Sequence, residues 1–264
     1  MNTILLAILA LGGLGLFFGL GLSYADKKFK VEEDSRFKEI MEVLPNVNCG
    51  GCGFPGCANF ANALLTGEGK PEGCPPGGFK VAEDIGKILG IEVQKTSRRV
   101  AFIRCSGGLS KSNFRYRYEG MNNCSAAIQL AAGGAKVCSY GCLGIGSCIE
   151  ICEFDAISIA DGIAKVNDDK CIACGKCVTL CPKNLIEMVP HDKKVRVACD
   201  AHESGKNVRV NCKVGCITCR ICEKECKFGA INVYHELAEV DYDKCTQCMA
   251  CVGKCPPKSI VVSS

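Results

Sequence analysis

The spacing of its cysteines constrains this chain more than any other feature. Cys216, Cys219, Cys222 and Cys226 read C-x2-C-x2-C-x3-C, and Cys245, Cys248, Cys251 and Cys255 repeat the run with Pro256 directly after it. Three thiolates on one tight loop can reach three irons of a cubane, and a fourth from a distant run closes the site. Of 264 residues, 24 are cysteine. Disulfide frameworks belong to short secreted chains, so this density in tight runs of a long chain favours thiolate–metal centres. Zinc sites pair two C-x2-4-C elements rather than triplets, and His191, His202 and His235 lack the spacing of a Cys/His finger.

The runs are duplicated. A shift of 74 residues lays Cys142, Cys148 and Cys152 on Cys216, Cys222 and Cys226. The same shift of 74 lays Cys171, Cys174, Cys177 and Cys181 on Cys245, Cys248, Cys251 and Cys255, and Pro182 on Pro256. This is the bacterial ferredoxin arrangement, in which the fourth cysteine of each run serves the other cluster. In the second copy the expected sets are Cys216, Cys219, Cys222 with Cys255, and Cys245, Cys248, Cys251 with Cys226. In the first copy Ile145 stands where Cys219 stands in the second. Cys138, which shifts onto Cys212, is expected to supply the missing thiol. The first-copy sets are then Cys138, Cys142, Cys148 with Cys181, and Cys171, Cys174, Cys177 with Cys152. The glycines of LGIGS let the loop bend around a cluster without a clashing Cβ.

A further group lies nearer the N-terminus. Cys49, Cys52, Cys57 and Cys74 give C-x2-C-x4-C-x16-C amid glycine and proline. Four thiols so placed suit one [4Fe–4S] cluster or one zinc, and the neighbouring runs favour the cluster. Five [4Fe–4S] clusters are therefore expected. Cys105, Cys124, Cys199 and Cys212 are left over, either as buried reduced thiols or as a sixth cluster.

Ile4 to Leu22 is an uncharged run of 19 residues. As a helix it would be about 28 Å long, close to the thickness of bilayer hydrocarbon. Lys27, Lys28 and Lys30 follow, which would place the bulk of the chain on the cytoplasmic side of the cell (inner) membrane as a single-pass protein. The competing reading is a cleaved signal peptide, but the MNT start carries no Lys or Arg. The fold class expected is α+β. It comprises a transmembrane anchor (1–25), a small helical [4Fe–4S] domain (26–92), an intervening α/β segment (93–134), a first 2[4Fe–4S] ferredoxin-like module (135–190), a linker (191–206) and a second such module (207–264). Hairpins are expected at AISIADGIAKV, around Asp161-Gly162, and at AINVYHELAEV with a looser turn.

A glycine-rich N-terminal run, then C-x2-C-x4-C-x16-C, then ferredoxin runs resembles the B-subunit family of Rnf electron-transport complexes, in its longer form with tandem ferredoxin modules. The resemblance covers essentially the whole chain. It implies an electron-transfer subunit of an ion-translocating ferredoxin:NAD⁺ oxidoreductase. Soluble ferredoxin would be the donor, and membrane and cytoplasmic subunits of the complex would be the partners. Two alternatives stand beside it: a polyferredoxin subunit of another membrane redox complex such as a hydrogenase, and a zinc-binding interaction scaffold. The sequence shows no phosphate-binding glycine loop, no flavin site and no catalytic acid, base or nucleophile. A net charge of +4 gives no case for nucleic acid. Arg98, Arg99, Lys111, Arg115 and Arg117 make a basic stretch, either a solvated strand face or a docking patch for an acidic ferredoxin.

Overall fold

The computed structural model of the chain describes residues 2–28, 34–94, 97–130 and 133–263. The first helix, α1 (Asn2–Lys28), carries no acidic residue in its first turn and ends on Lys27 and Lys28. From Leu9 onward its large apolar side chains, including Leu14, Phe17, Phe18 and Leu20, are exposed. Among the described residues no helix is long and apolar enough to cross a membrane. The expected span begins at Ile4, and the side chains of Ile4 to Ile8 lie outside the described set.

The N-terminal domain is helical, as its periodicity requires. α2 (Ser35–Val43) is capped by Asp34, whose carboxylate accepts from the Arg36 amide at 3.0 Å. α3 (Cys57–Thr66) ends on Gly67 and α4 (Gly78–Leu89) on Gly90, both left-handed. A 3-10 turn at Pro71–Gly73 precedes Cys74. Ile40, Leu44, Phe60, Leu64 and Ile85 form the core, and Cys74 is buried among them.

Among the described residues the rest of the chain carries four two-stranded antiparallel sheets with short helices between them. β1 (Arg99–Ile103) is followed by α5 (Cys124–Leu130), α6 (Ser147–Glu150) and the hairpin β2 (Ile157–Ala160) and β3 (Ile163–Val166). α7 (Lys176–Leu180) and β4 (Ile186–Pro190) complete the first module. β5 (Val195–Val197), α8 (Gly205–Asn211), α9 (Ile221–Glu225), the hairpin β6 (Ile231–Tyr234) and β7 (Leu237–Val240), α10 (Ala250–Lys254) and β8 (Ile260–Val262) make the second.

The pairing shows that the repeat is longer than the cysteine runs suggest. β1 pairs β4 with Ile103 opposite Ile186, and β5 pairs β8 with Val197 opposite Ile260. Ile186 and Ile260 are themselves 74 residues apart. Each module thus borrows its closing strand from residues before its first run. β1 lies in the segment expected to be intervening, and β5 in the segment expected to be a linker. Both are instead core strands: Val100 and Ala101 are buried with Ile157, Ile163 and Leu185, and Val195 with Ile231 and Leu237.

Both hairpins form. Asp161 (φ 51°) and Gly162 (φ 68°) make the first turn. The second was expected to be looser. It has the same two-residue form on His235 (φ 44°) and Glu236 (φ 64°). Its strained backbone is braced from outside, because the His202 ring Nδ1 lies 3.0 Å from the His235 carbonyl and Thr218 Oγ1 donates to the Glu236 carbonyl at 2.9 Å.

Candidate iron–sulfur sites

The thiol loops share one backbone shape. In the run starting at Cys171, Ala173 (φ 61°) and Gly175 (φ 78°) flank Cys174 in the left-handed region. Thr218 (φ 55°) and Arg220 (φ 57°) flank Cys219, and Gln247 (φ 60°) and Met249 (φ 63°) flank Cys248, in the same way. Left-handed conformation at a residue with a side chain costs of order 1–3 kcal/mol, so this recurrence marks a constrained, functional curl. The irregular run keeps it: Gly144 (φ 73°) and Gly146 (φ 99°) flank Ile145. The loop wraps as its counterparts do, with isoleucine where they place sulfur.

The thiols group as the crossover rule requires at the regular runs. Cys216, Cys219, Cys222 and Cys255 line one cavity, and Cys226, Cys245, Cys248 and Cys251 another. Burial pushes the Cys222 thiol up to about 12, and Cys216, Cys255 and Cys219 beside it push the same way. Burial also raises Cys251, with Cys245, Cys226 and Cys248 adding to it. Cys177 is pushed up to about 12 by burial, then by Cys171, Cys174 and Cys152. In the N-terminal domain burial takes Cys74 up to about 11; the Gly77 amide opposes this, while Cys57, Cys49 and Cys52 add to it. Burial thus keeps these neighbouring thiols neutral when bare, and metal binding would release a proton from each.

The first-copy site with Ile145 differs from expectation. Cys142, Cys148 and Cys181 line one cavity, and the fourth thiol there is Cys124. Burial pushes Cys148 up to about 12, with Cys142 and Cys124 the first thiols adding to it. Cys124 begins α5, and its amide donates to the buried Ser147 hydroxyl at 2.9 Å, which ties it to the helix bearing Cys148. Cys138 does not enter this cavity. It packs against the second module's core together with Tyr140, whose ring meets that of His202 edge-on at 5.8 Å. The insertion that carries Cys124 has no counterpart in the second copy, so the 74-residue shift gives no sign of it.

The N-terminal site and the two sites of the first module adjoin. A Cβ on Gly51 would lie 3.1 Å from Cys174 Cα, so the N-terminal loop sits directly on the first module. Cys49 adds to the raised value of Cys174, and Cys177 to that of Cys148, both after burial. Amides point at sulfurs: Ala101 N at Cys171 Sγ (3.3 Å), and Ala230 N at Cys226 Sγ (3.3 Å). Such donors stabilise thiolate and tune cluster potential. Among the described residues no three Cys, His, Asp or Glu side chains converge closely enough to hold a single metal ion. The thiols instead ring cavities, which is the placement a four-iron cubane needs at its corners.

The five residues of the basic stretch are all exposed, and three of them are held by backbone carbonyls. The Arg98 guanidinium donates to the carbonyls of Asp168, Asp169 and Cys171, Arg99 to that of Met188, and Arg115 to that of Val137.

Tandem dicluster loops beside a separate four-thiol domain define a polyferredoxin-type iron–sulfur protein. Comparison with known families agrees. An Fe-S cluster family matches residues 44–76, an LdpA Fe-S cluster-binding domain 147–192, and 4Fe-4S dicluster domains 170–230 and 215–260. The match over 170–230 straddles the two modules, whereas the structure groups Cys171, Cys174 and Cys177 with Cys152. The B subunit of the ion-translocating oxidoreductase complex of Methanosarcina acetivorans is 43% identical over 98% of this chain and 99% of its own length. The B subunit of the Na⁺-translocating ferredoxin:NAD⁺ oxidoreductase complex of Acetobacterium woodii is 43% identical over 98% of this chain and 78% of its own. The proton-translocating counterpart from Clostridium ljungdahlii is 39% identical over 98% and 93%. The chain belongs to the family formed by the B subunits of ion-translocating oxidoreductase complexes.

Proposed function

We propose that the chain is the electron-transfer subunit of an ion-translocating ferredoxin:NAD⁺ oxidoreductase complex. It carries electrons from reduced ferredoxin through a file of [4Fe–4S] clusters to other subunits. The observation that carries this reading is the set of four-thiol cavities in the two modules, together with the seating of Gly51 on Cys174, which joins the N-terminal site to the first module. The residues that would hold the clusters are Cys49, Cys52, Cys57 and Cys74; Cys152, Cys171, Cys174 and Cys177; Cys124, Cys142, Cys148 and Cys181; Cys216, Cys219, Cys222 and Cys255; and Cys226, Cys245, Cys248 and Cys251. Bound clusters supply one-electron chemistry; the chain supplies spacing, amide donors and exclusion of water.

The end of the file away from the N-terminal domain is the entry we favour, because Cys219 and Cys248 are exposed there, beside exposed Met249 and Phe228. The uncharged run in α1, with exposed leucines and phenylalanines and lysines at its end, supports a single membrane anchor with the cysteine domains on the cytoplasmic side. Full-length protein purified anaerobically in detergent tests the reading. Reduced ferredoxin should bleach its visible absorption and raise EPR signals of reduced clusters. A colourless chain carrying zinc would defeat it. Co-purification with hydrogenase subunits would move the chain to a different complex.

A further inference from the structure

The geometry points to a sixth [4Fe–4S] site, held by Cys105, Cys138, Cys199 and Cys212, that joins the two ferredoxin modules. It rests on the iron–sulfur reading above and extends it to the four thiols that reading leaves unassigned.

All four line one cavity. They arrive there in two matched pairs. Cys105 follows β1 and Cys199 follows β5; Cys138 precedes Cys142 and Cys212 precedes Cys216 by the same four positions. The Cys142 amide points at Cys105 Sγ at 3.5 Å, and the Cys216 amide at Cys199 Sγ at 3.2 Å. Each module therefore contributes the same two thiols in the same local setting. The pairs are brought together by backbone contact between modules. The Asn113 amide donates to the Asn211 carbonyl at 3.0 Å, and the Lys213 amide to the Lys111 carbonyl at 2.8 Å.

Two features of the cavity suit a large anionic group. At Gly107 a Cβ would stand 3.0 Å from Cys212 Sγ and 3.9 Å from Cys105 Sγ, so bare backbone is kept where any side chain would intrude between thiols. Lys136 also lines the cavity and is only 4% exposed. Its Nζ donates to the Gly107 carbonyl at 2.6 Å and lies over the Phe114 ring at 5.8 Å; Asp161 acts on it only from beyond ion-pair distance, and Asp200 and Glu203 also line the cavity. A buried cation with no directly paired carboxylate is costly. Four thiolates on a cubane carry net negative charge and would balance it.

The site's place is between ligands of its neighbours. Cys142 belongs to the inner site of the first module and Cys216 to the second module, and each donates its amide to a sulfur of this set. A cluster here closes the gap between the two modules in the electron path.

Iron and acid-labile sulfide per full-length chain, purified anaerobically, test the inference. Six sites predict about 24 irons, and Cys212→Ala should lose about four of them while the other clusters keep their EPR and Mössbauer signals. About 20 irons in the unsubstituted chain, or an unchanged count in Cys212→Ala, overturns it. No iron at all overturns the underlying reading as well. Should Cys212→Ala fail to accumulate, Lys136→Met keeps every thiol and carries the test. Iron content should hold while one cluster's midpoint potential falls; no shift in any cluster's potential overturns the inference.

Discussion

Arg196 and Asp168 form a buried ion pair across the module boundary, with Nη2 2.9 Å and Nη1 3.2 Å from the two carboxylate oxygens. Their side chains are 0% and 3% exposed. Ser263 Oγ bonds to both, and the guanidinium lies over the Phe102 ring at 5.2 Å. Removing one partner leaves a charge without solvent. Asp168→Ala should therefore cost about 3–5 kcal/mol, and Arg196→Met less, because Lys194 Nζ still lies 3.5 Å from the Asp168 carboxylate. The double variant should recover much of the loss. Anaerobic thermal unfolding checks this; strictly additive losses would mean the two residues do not act as a pair.

Cys124→Ala should remove one cluster, about four irons, from the first module. Because Gly144 and Gly146 already hold the curl seen around Cys219, Ile145→Cys in the same chain should restore it. Iron analysis of the three proteins decides. Full iron in Cys124→Ala would return the fourth ligand to another thiol.

Gly51 has no room for a side chain against Cys174. A Cβ there would meet Cys174 Cα at 3.1 Å, its carbonyl oxygen at 3.2 Å and Pro75 Cγ at 3.3 Å. Gly51→Val should push the N-terminal domain off the first module, at about 1–3 kcal/mol. Iron content should stay constant while magnetic coupling between these two clusters weakens in the EPR of the reduced protein. Unchanged coupling would show that the contact does not set their separation.

Cluster loss should depend on pH with a definite sign. Burial pushes the bare thiols of Cys148, Cys177, Cys199 and Cys222 up to about 12. Their folded values lie above the ordinary thiol value of 9.0, so the stripped protein holds these protons throughout the neutral range. Iron-bound sulfur holds none, and stripping takes up a proton at each. Iron release to a chelator should accelerate as pH falls from the alkaline side through neutrality. A rate that rises with pH would contradict the assignment.

Deleting residues 2–28 tests the anchor separately. The truncated chain should leave the membrane fraction with its iron content intact, because α1 contributes no thiol. Retention in the membrane would place the attachment elsewhere in the chain.

Much of the site is legible without a structure, because ligand reach along a tight loop is a local property. C-x2-C-x2-C forces three thiols onto one curl, and the duplication points to the crossover of Cys181, Cys152, Cys255 and Cys226. Cys49, Cys52, Cys57 and Cys74 are equally plain. Spacing offers Cys138 to the site that holds Ile145, whereas Cys124 lines that cavity and Cys138 lines another. Cys138 shifts onto Cys212, so a role as substitute ligand for one leaves its counterpart without a reason. Equal treatment of the two points to a shared site.

What spacing cannot supply is proximity between distant segments. Cys124 reaches Cys148 through the Ser147 hydroxyl, and Cys105 and Cys199 take matching places because β1 and β5 close equivalent sheets. Those placements follow from strand pairing and core packing over many tens of residues, which no local pattern encodes. The sequence by itself determined the chemistry, four-iron centres on thiolate loops. Only the tertiary structure decided which thiols meet, because a cubane's fourth corner is closed by whichever sulfur the fold carries to it.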